Sequence, residues 1–148
     1  MHPPDEFLDA AIAEARRGLK KGGIPIGSVR VCEGKIIGRG HNQRVQKDSV
    51  IHHAEMNCLE NAGRQPAEIY QRCTIYSTLS PCPMCAGAII LYGIPQVVIG
   101  ENETFLGAEE TLCLHGVRLE VLQDDECIEL MRDFVHKHPE LWNEDIGV

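Results

Sequence analysis

Two short motifs must meet in space for this chain to do chemistry, and that requirement constrains the fold more than any other feature. His53-Ala54-Glu55 offers an imidazole and, two residues on, a carboxylate; Pro81-Cys82-Pro83-Met84-Cys85 offers two thiols. Imidazole and thiolate together suit zinc, which in catalytic sites takes three protein ligands and keeps a fourth position open. The flanking sequence places each motif at the start of a helix. Residues 73–79 (Cys-Thr-Ile-Tyr-Ser-Thr-Leu) read as a buried strand. Ser80 suits an N-cap and Pro81 a first helical position, so Cys82 and Cys85, at i and i+3, share one face of the first turn. A helix N-terminus favours thiolate over thiol. His53 opens a second helix, running through Met56, Leu59 and Ala62 to a Gly63 stop. The fold has to bring two helix N-termini together.

Three readings compete for these residues. One is a catalytic zinc held by His53, Cys82 and Cys85, with Glu55 left free for proton transfer. A second is a closed structural zinc in a binding module. A third is a redox dithiol, because strand–Cys-x-x-Cys–helix is also the thioredoxin-like arrangement. Either motif alone is weak; both together, on the expected elements, favour the catalytic site. A structural site needs a fourth ligand, and His52 is the nearest candidate. Neighbouring residues on a helix or strand point apart, so His52 reads instead as a partly buried imidazole paired with a carbonyl.

Charge narrows the partners. The 148 residues carry 14 basic and 22 acidic side chains, a formal net charge of −8. Neutralising phosphates takes clustered Lys and Arg, so the balance argues against a nucleic-acid polymer and towards a small-molecule substrate. There is no apolar stretch of membrane length and no secretory segment. The seven cysteines are an odd number. Two belong to the metal motif, and Cys32, Cys58, Cys73, Cys113 and Cys127 lie in apolar runs, as small buried hydrophobes do. A cytoplasmic setting is expected.

The length suits one domain, residues 1–148, with its own core. Asp5 caps a helix with the apolar stripe Phe7, Leu8, Ala11, Ile12, Ala15 and Leu19, ended by Gly22-Gly23. Residues 26–32 and 35–39 form a hairpin around Glu33-Gly34. From His53 the order is helix, strand, helix, strand (53–63, 73–79, 81–92, 96–100), which argues a mainly parallel sheet covered on both faces. Helix 81–92 has little polar surface and belongs at the centre or at a subunit interface. A helix around 104–115, a strand at 117–122 and a helix at 125–137 follow, the last stopped by Pro139. The tail, 139–148, is acidic but holds Leu141, Ile146 and the single tryptophan, Trp142, so it is expected to dock over the body of the protein.

Together the motifs form the signature His-x-Glu…Pro-Cys-x-x-Cys of zinc nucleobase deaminases. Beyond it, Gly-Gly-Ile-Pro-Ile-Gly (22–27), Gly-Arg-Gly-His-Asn (38–42), Leu-Glu-Asn-Ala-Gly-Arg (59–64), Gly-Ala-Ile-Ile-Leu-Tyr-Gly-Ile-Pro (87–95), Gly-Glu-Asn (100–102) and the terminal Trp142…Glu-Asp-Ile-Gly (144–147) extend the likeness across nearly the whole chain. The chain resembles the fungal-type cytosine deaminases of the cytidine and deoxycytidylate deaminase superfamily. The resemblance implies a three-layer α/β/α fold with a five-stranded mixed sheet, usually in a homodimer. It further implies one zinc on His53, Cys82 and Cys85, and Glu55 as proton shuttle. Asn42 and the Ala54 backbone N–H would hold the pyrimidine carbonyl, the Ser80 carbonyl would face the amino group, and Asp145 would reach the polar edge. Phe105 and Trp142 would wall the pocket. Ala54 stands where the family tends to have Gly, and Leu106-Gly107-Ala108 is less polar than the family pattern. The implied activity is hydrolysis of cytosine to uracil and ammonia, as in pyrimidine salvage. The alternatives are another amino-heterocycle (guanine or a nucleoside) or a cyclic amidine such as creatinine.

Overall fold

The computed structural model describes residues 2–148. The chain opens with α1 (Glu6–Lys20), whose N-cap Asp5 accepts hydrogen bonds from the Phe7 and Leu8 N–H groups. Strands β1 (Gly27–Cys32) and β2 (Lys35–His41) form the expected hairpin. Glu33 and Gly34 both take positive φ, 51° and 78°, the primed-turn geometry that matches strand twist. Then come α2 (Ala54–Ala62), the one-turn α3 (Ala67–Tyr70), β3 (Cys73–Ser77), α4 (Pro83–Tyr92) and β4 (Gln96–Ile99). The chain finishes with α5 (Glu109–Leu114), β5 (Arg118–Val121), α6 (Asp125–Lys137) and α7 (Pro139–Asp145).

One five-stranded sheet, in the order β2-β1-β3-β4-β5, organises the molecule. The sheet is mixed. β3, β4 and β5 run parallel, whereas β1 is antiparallel to both neighbours. The mainly parallel sheet read from the helix–strand alternation therefore holds only for the half after β3, because the hairpin inserts β1 between β2 and β3.

Alternation along β3 sorts the two faces. Cys73 and Ile75 pack with Ala86 and Ile89 of α4, while Tyr76 turns the other way, towards Leu8, Ile12 and Ala15 of α1 and Cys127 and Leu130 of α6. Helices on both faces make the expected three layers.

Several expectations are corrected. Helix α4 starts two residues later than predicted, with Cys82 at the N-cap and Pro83 in the first turn. Ser80 is not the cap, since its hydroxyl is engaged elsewhere. The helix expected around 104–115 shrinks to α5. The preceding N–H groups go to non-helical acceptors: those of Glu103 and Thr104 to the Glu101 carboxylate, that of Gly107 to the Ser80 hydroxyl, and that of Ala108 to the Pro81 carbonyl. Cys113 is exposed and Cys32 only half-buried, unlike the buried Cys58, Cys73 and Cys127. His52 bonds the Ser49 hydroxyl rather than a carbonyl. Among the described residues, no helix is long and apolar enough to cross a membrane.

Pro139 does end α6, but it also begins α7, at whose first position its missing N–H costs nothing. Seven residues are too few for a stable isolated helix. Burial holds it: Trp142 joins Ile24, Ile26, Ala54, Leu79, Met131 and Phe134 in one cluster, with Leu141 and Ile146 packed against them. Burying one such aromatic side chain stabilises by about 2–3 kcal/mol.

Candidate metal and active site

The N-termini of α2 and α4 converge, and the ligand atoms of His53, Cys82 and Cys85 all lie within 4.8 Å of one another. The His53 Nδ1 sits 3.3 Å from the Cys82 Sγ and 3.7 Å from the Cys85 Sγ. A tetrahedral zinc with ordinary Zn–N and Zn–S bonds sets its nitrogen and sulfur ligands about 3.5 Å apart. One borderline nitrogen, two soft sulfurs and this spacing fit zinc. Helix geometry explains the arrangement. His53 and Cys82 are both N-cap residues with extended backbone, and neither makes a side-chain capping bond, which leaves both side chains free to turn to each other.

The electrostatics of the cluster agree with the donor chemistry. A hydrogen bond from Cys85 and one with His53 pull the Cys82 thiol down to about 4, against burial. Cys85 is pushed well above the ordinary thiol range by its bond to Cys82 and by burial. Burial opposes the charged form of His53, yet the Cys82 bond and the fields of Asp145 and Glu55 carry it up to about 9. Glu55, only 4% exposed, is raised to about 7 by burial, with the His53 charge pulling the other way.

Above the cluster lies a pocket of about 300 Å³ including its mouth. Every residue predicted for the site lines it except Cys85, which is buried beneath. Asn42, Ala54, Ser80, Phe105, Trp142 and Asp145 thus join His53, Glu55 and Cys82, although they come from opposite ends of the chain. Ile26, Leu79 and Ile146 complete the wall; the sequence gives them no site role, although each lies within a segment that carries a signal of its own (22–27, 73–79 and 144–147).

The wall is held by hydrogen bonds between distant segments. Asn42 donates from Nδ2 to the Asp145 carboxylate (3.0 Å) and accepts at Oδ1 from the Arg44 N–H (3.0 Å). The His53 Nε2 faces the other Asp145 oxygen at 3.7 Å, a charge contact rather than a hydrogen bond. Ser80 donates its hydroxyl to Glu109 and accepts from the Gly107 N–H. Gly107 has to be glycine here, since a Cβ would lie 2.0 Å from the Pro81 carbonyl oxygen. Phe105 and Trp142 meet edge to face, ring centres 6.0 Å apart at 87°.

The main omission of the sequence reading is Arg44. Its guanidinium is buried and forks onto both Glu144 oxygens (2.9 and 2.5 Å), with Asp145 at 3.6 Å and a further bond from Nε to the Val50 carbonyl. Its only signal was a lone cation two residues after Asn42, with its partner a hundred positions away.

The comparisons with known proteins agree with this geometry. The signature described as the cytidine and deoxycytidylate deaminase zinc-binding region matches residues 1–101. A cytosine deaminase of Candida albicans is 52% identical over 95% of this chain and 94% of its own. A tRNA-specific adenosine deaminase of Streptococcus pyogenes is 38% identical over 86% of this chain and 87% of its own. Among solved structures, one from a study of A-to-I editing by tRNA:A34 deaminases superposes with a TM-score of 0.73 at 28% identity, covering 84% of this chain and 98% of that one. With its two helix N-termini, its His-Cys-Cys cluster and its full-length relatives, the chain belongs to the cytidine and deoxycytidylate deaminase family of zinc enzymes.

Proposed function

We propose that the protein hydrolyses cytosine to uracil and ammonia. The observation that carries this reading is the small pocket in which a His-Cys-Cys cluster and a buried, unligated carboxylate sit beneath an amide–carboxylate pair from Asn42 and Asp145. The 52% identity to a cytosine deaminase over nearly both full lengths supports the same choice of substrate.

His53, Cys82 and Cys85 would hold one zinc, which when bound supplies Lewis-acid activation of the attacking water at neutral pH. Glu55 takes the proton from that water, delivers it to the ring nitrogen beside the reacting carbon, and then protonates the departing ammonia. Asn42 has a second amide hydrogen beyond the one given to Asp145, and it donates this to the pyrimidine carbonyl. The Ala54 N–H, in the first turn of α2 and without an intrahelical acceptor, donates beside it. The Ser80 N–H and hydroxyl are already committed to Glu101 and Glu109, so its carbonyl is the group left to face the substrate amino group. Asp145 meets the remaining polar edge. Phe105, Trp142 and Ile146 exclude bulk water, which strengthens each of these interactions, and the segment 139–148 acts as the closing wall of this single domain.

The tRNA-deaminase likeness does not extend to the substrate in this reading. A small pocket roofed by the chain's own C-terminal segment, on a protein of charge −8, suits a free base better than a polymer. We further assign the apolar outer face of α4, where Leu91 is 74% and Tyr92 43% exposed, to a homodimer contact. We place the enzyme in the cytoplasm, in pyrimidine salvage.

The test is ammonia release by zinc-loaded protein from cytosine, cytidine and creatinine side by side. Turnover of cytosine alone is expected. Turnover of creatinine or cytidine in its place would overturn the substrate and shift specificity to Ala54 and the 105–108 loop.

A further inference from the structure

Two cysteines outside the metal cluster face each other across the sheet. In the antiparallel register of β1 and β3, Cys32 is the direct partner of Cys73. Directly opposed residues on such strands have Cα atoms about 4.5–5.5 Å apart and side chains on the same face. That separation lies inside the range a disulfide spans. Cys32 is half-exposed beside the hairpin turn, whereas Cys73 is 1% exposed and donates its thiol to the Ile69 carbonyl (3.1 Å). The pair sits at the start of β3, at the opposite end of that strand from Ser80 and Cys82, so nothing in the zinc chemistry uses it.

A buried cation lies next along the same face. Arg30, two residues before Cys32 on β1, is fully buried with its guanidinium 4.5 Å above the Tyr70 ring. Its Nε and Nη1 have no hydrogen-bond partner among the described residues. Burial pushes the Cys73 thiol up to about 11, and the Arg30 charge opposes that rise. Cys73 therefore rests as a thiol, with a positive charge at hand to stabilise its anion when it reacts.

We propose that Cys32 and Cys73 form a peroxide-driven disulfide that staples β1 to β3. The Cys32 thiolate attacks one oxygen of hydrogen peroxide; the O–O bond breaks, a sulfenic acid forms, and the departing hydroxide takes up the proton that Cys32 released to leave as water. The Cys73 thiol gives up its proton as its sulfur attacks the Cys32 sulfur; the S–O bond breaks, the S–S bond forms, and the departing hydroxide takes that proton to leave as a second water. Two thiols are oxidised by two electrons in all, and one peroxide is reduced. The bond itself lies at the end of the sheet away from the pocket and fixes a strand pairing that already exists, so it raises thermal stability by closing the loop between residues 32 and 73 and leaves turnover unchanged.

The experiment treats zinc-loaded, full-length protein with hydrogen peroxide, alkylates the remaining thiols, and digests with trypsin and then chymotrypsin. The expected product is peptide 31–35 joined to peptide 73–76, lost on reduction, with zinc content unchanged and a thermal midpoint several degrees higher. In Cys73→Ser, dimedone should trap the Cys32 sulfenic acid several-fold more than in the parent, because nothing resolves it. Full alkylation of Cys32 and Cys73 under peroxide that oxidises the exposed Cys113 would overturn the proposal. So would Cys32 bridged only to another chain, or dimedone labelling equal in the two proteins.

Discussion

The floor and the roof of the pocket are built in opposite ways. The floor is local. Each candidate ligand is an N-cap or first-turn residue, His53 of α2 and Cys82 and Cys85 of α4. The roof is assembled from Asn42 and Arg44 after β2, Phe105 in the loop before α5, and Trp142 and Asp145 in α7. Its members are tied by single hydrogen bonds and one buried guanidinium rather than by continuous secondary structure. In the proposed mechanism this is a division of labour: the floor would supply reactivity that tolerates little change, and the roof orientation and exclusion of water that can be weakened in steps.

The sharpest way to break that division is Glu55→Gln. Zinc content should stay at one per chain by elemental analysis while kcat falls about 10⁴-fold, the upper end for general acid–base catalysis. Equal loss of zinc would make Glu55 part of the metal site and erase the distinction.

Truncation after Pro139 comes next. Removing residues 140–148 takes away Asp145 and Trp142, so kcat/KM should fall at least about 10²-fold, as loss of positioning does. Zinc and the far-ultraviolet dichroism of the remaining helices should be kept. An active truncated enzyme would mean the roof is not needed.

Arg44→Met is a smaller step. Glu144 is largely exposed, so the loss in stability is discounted to about 1–2 kcal/mol, below that of a fully buried pair. We expect KM for cytosine to rise about tenfold with zinc unchanged. Arg44→Lys should recover little, because an ammonium cannot make the two-oxygen fork.

The smallest effect lies outside the pocket. His2 is raised above its ordinary 6.5 by its bond to Asp124, and Asp124 is held below 3.8 by the Cys127 N–H and His2 although burial opposes this. The His2 contribution is complete below pH 6.5 and is lost as pH rises through the higher folded value. The Asp124 contribution is present above pH 3.8 and is lost as pH falls through the lower one. His2→Ala should therefore lower the thermal midpoint by a degree or two near pH 5.5, with less effect at pH 9, and should leave turnover untouched at either.

Legibility in the sequence follows the same division. Helix caps, the Glu33-Gly34 turn and the apolar stripes of α1 and α6 are signals within one or two turns of chain, and those elements appear where expected. The zinc-ligand set rests on the same local signals. The site roles of Asn42, Asp145, Phe105 and Trp142 are legible only through the family resemblance, since nothing beside Asp145 indicates that it meets Asn42, although the tail's apolar residues alone predict that Trp142 docks. Arg44 was missed because a cation in a loop looks solvated until Glu144 is brought to it. The overlong helix at 104–115 failed for a related reason: its first N–H groups answer to Glu101, Ser80 and Pro81, and only the folded chain brings Ser80 and Pro81 to them. The mixed sheet was hidden because alternation of helix and strand after His53 says nothing about where the earlier hairpin inserts.

The central claim is a zinc-dependent cytosine deaminase whose metal sits on His53, Cys82 and Cys85. Its most direct test is ammonia release from cytosine measured against zinc content as the metal is stripped by a chelator and restored. The account predicts activity in proportion to bound zinc, reaching its maximum at one zinc per chain. Metal-free protein that still turns cytosine over at the full rate, or fully loaded protein that releases no ammonia from it, would contradict the account.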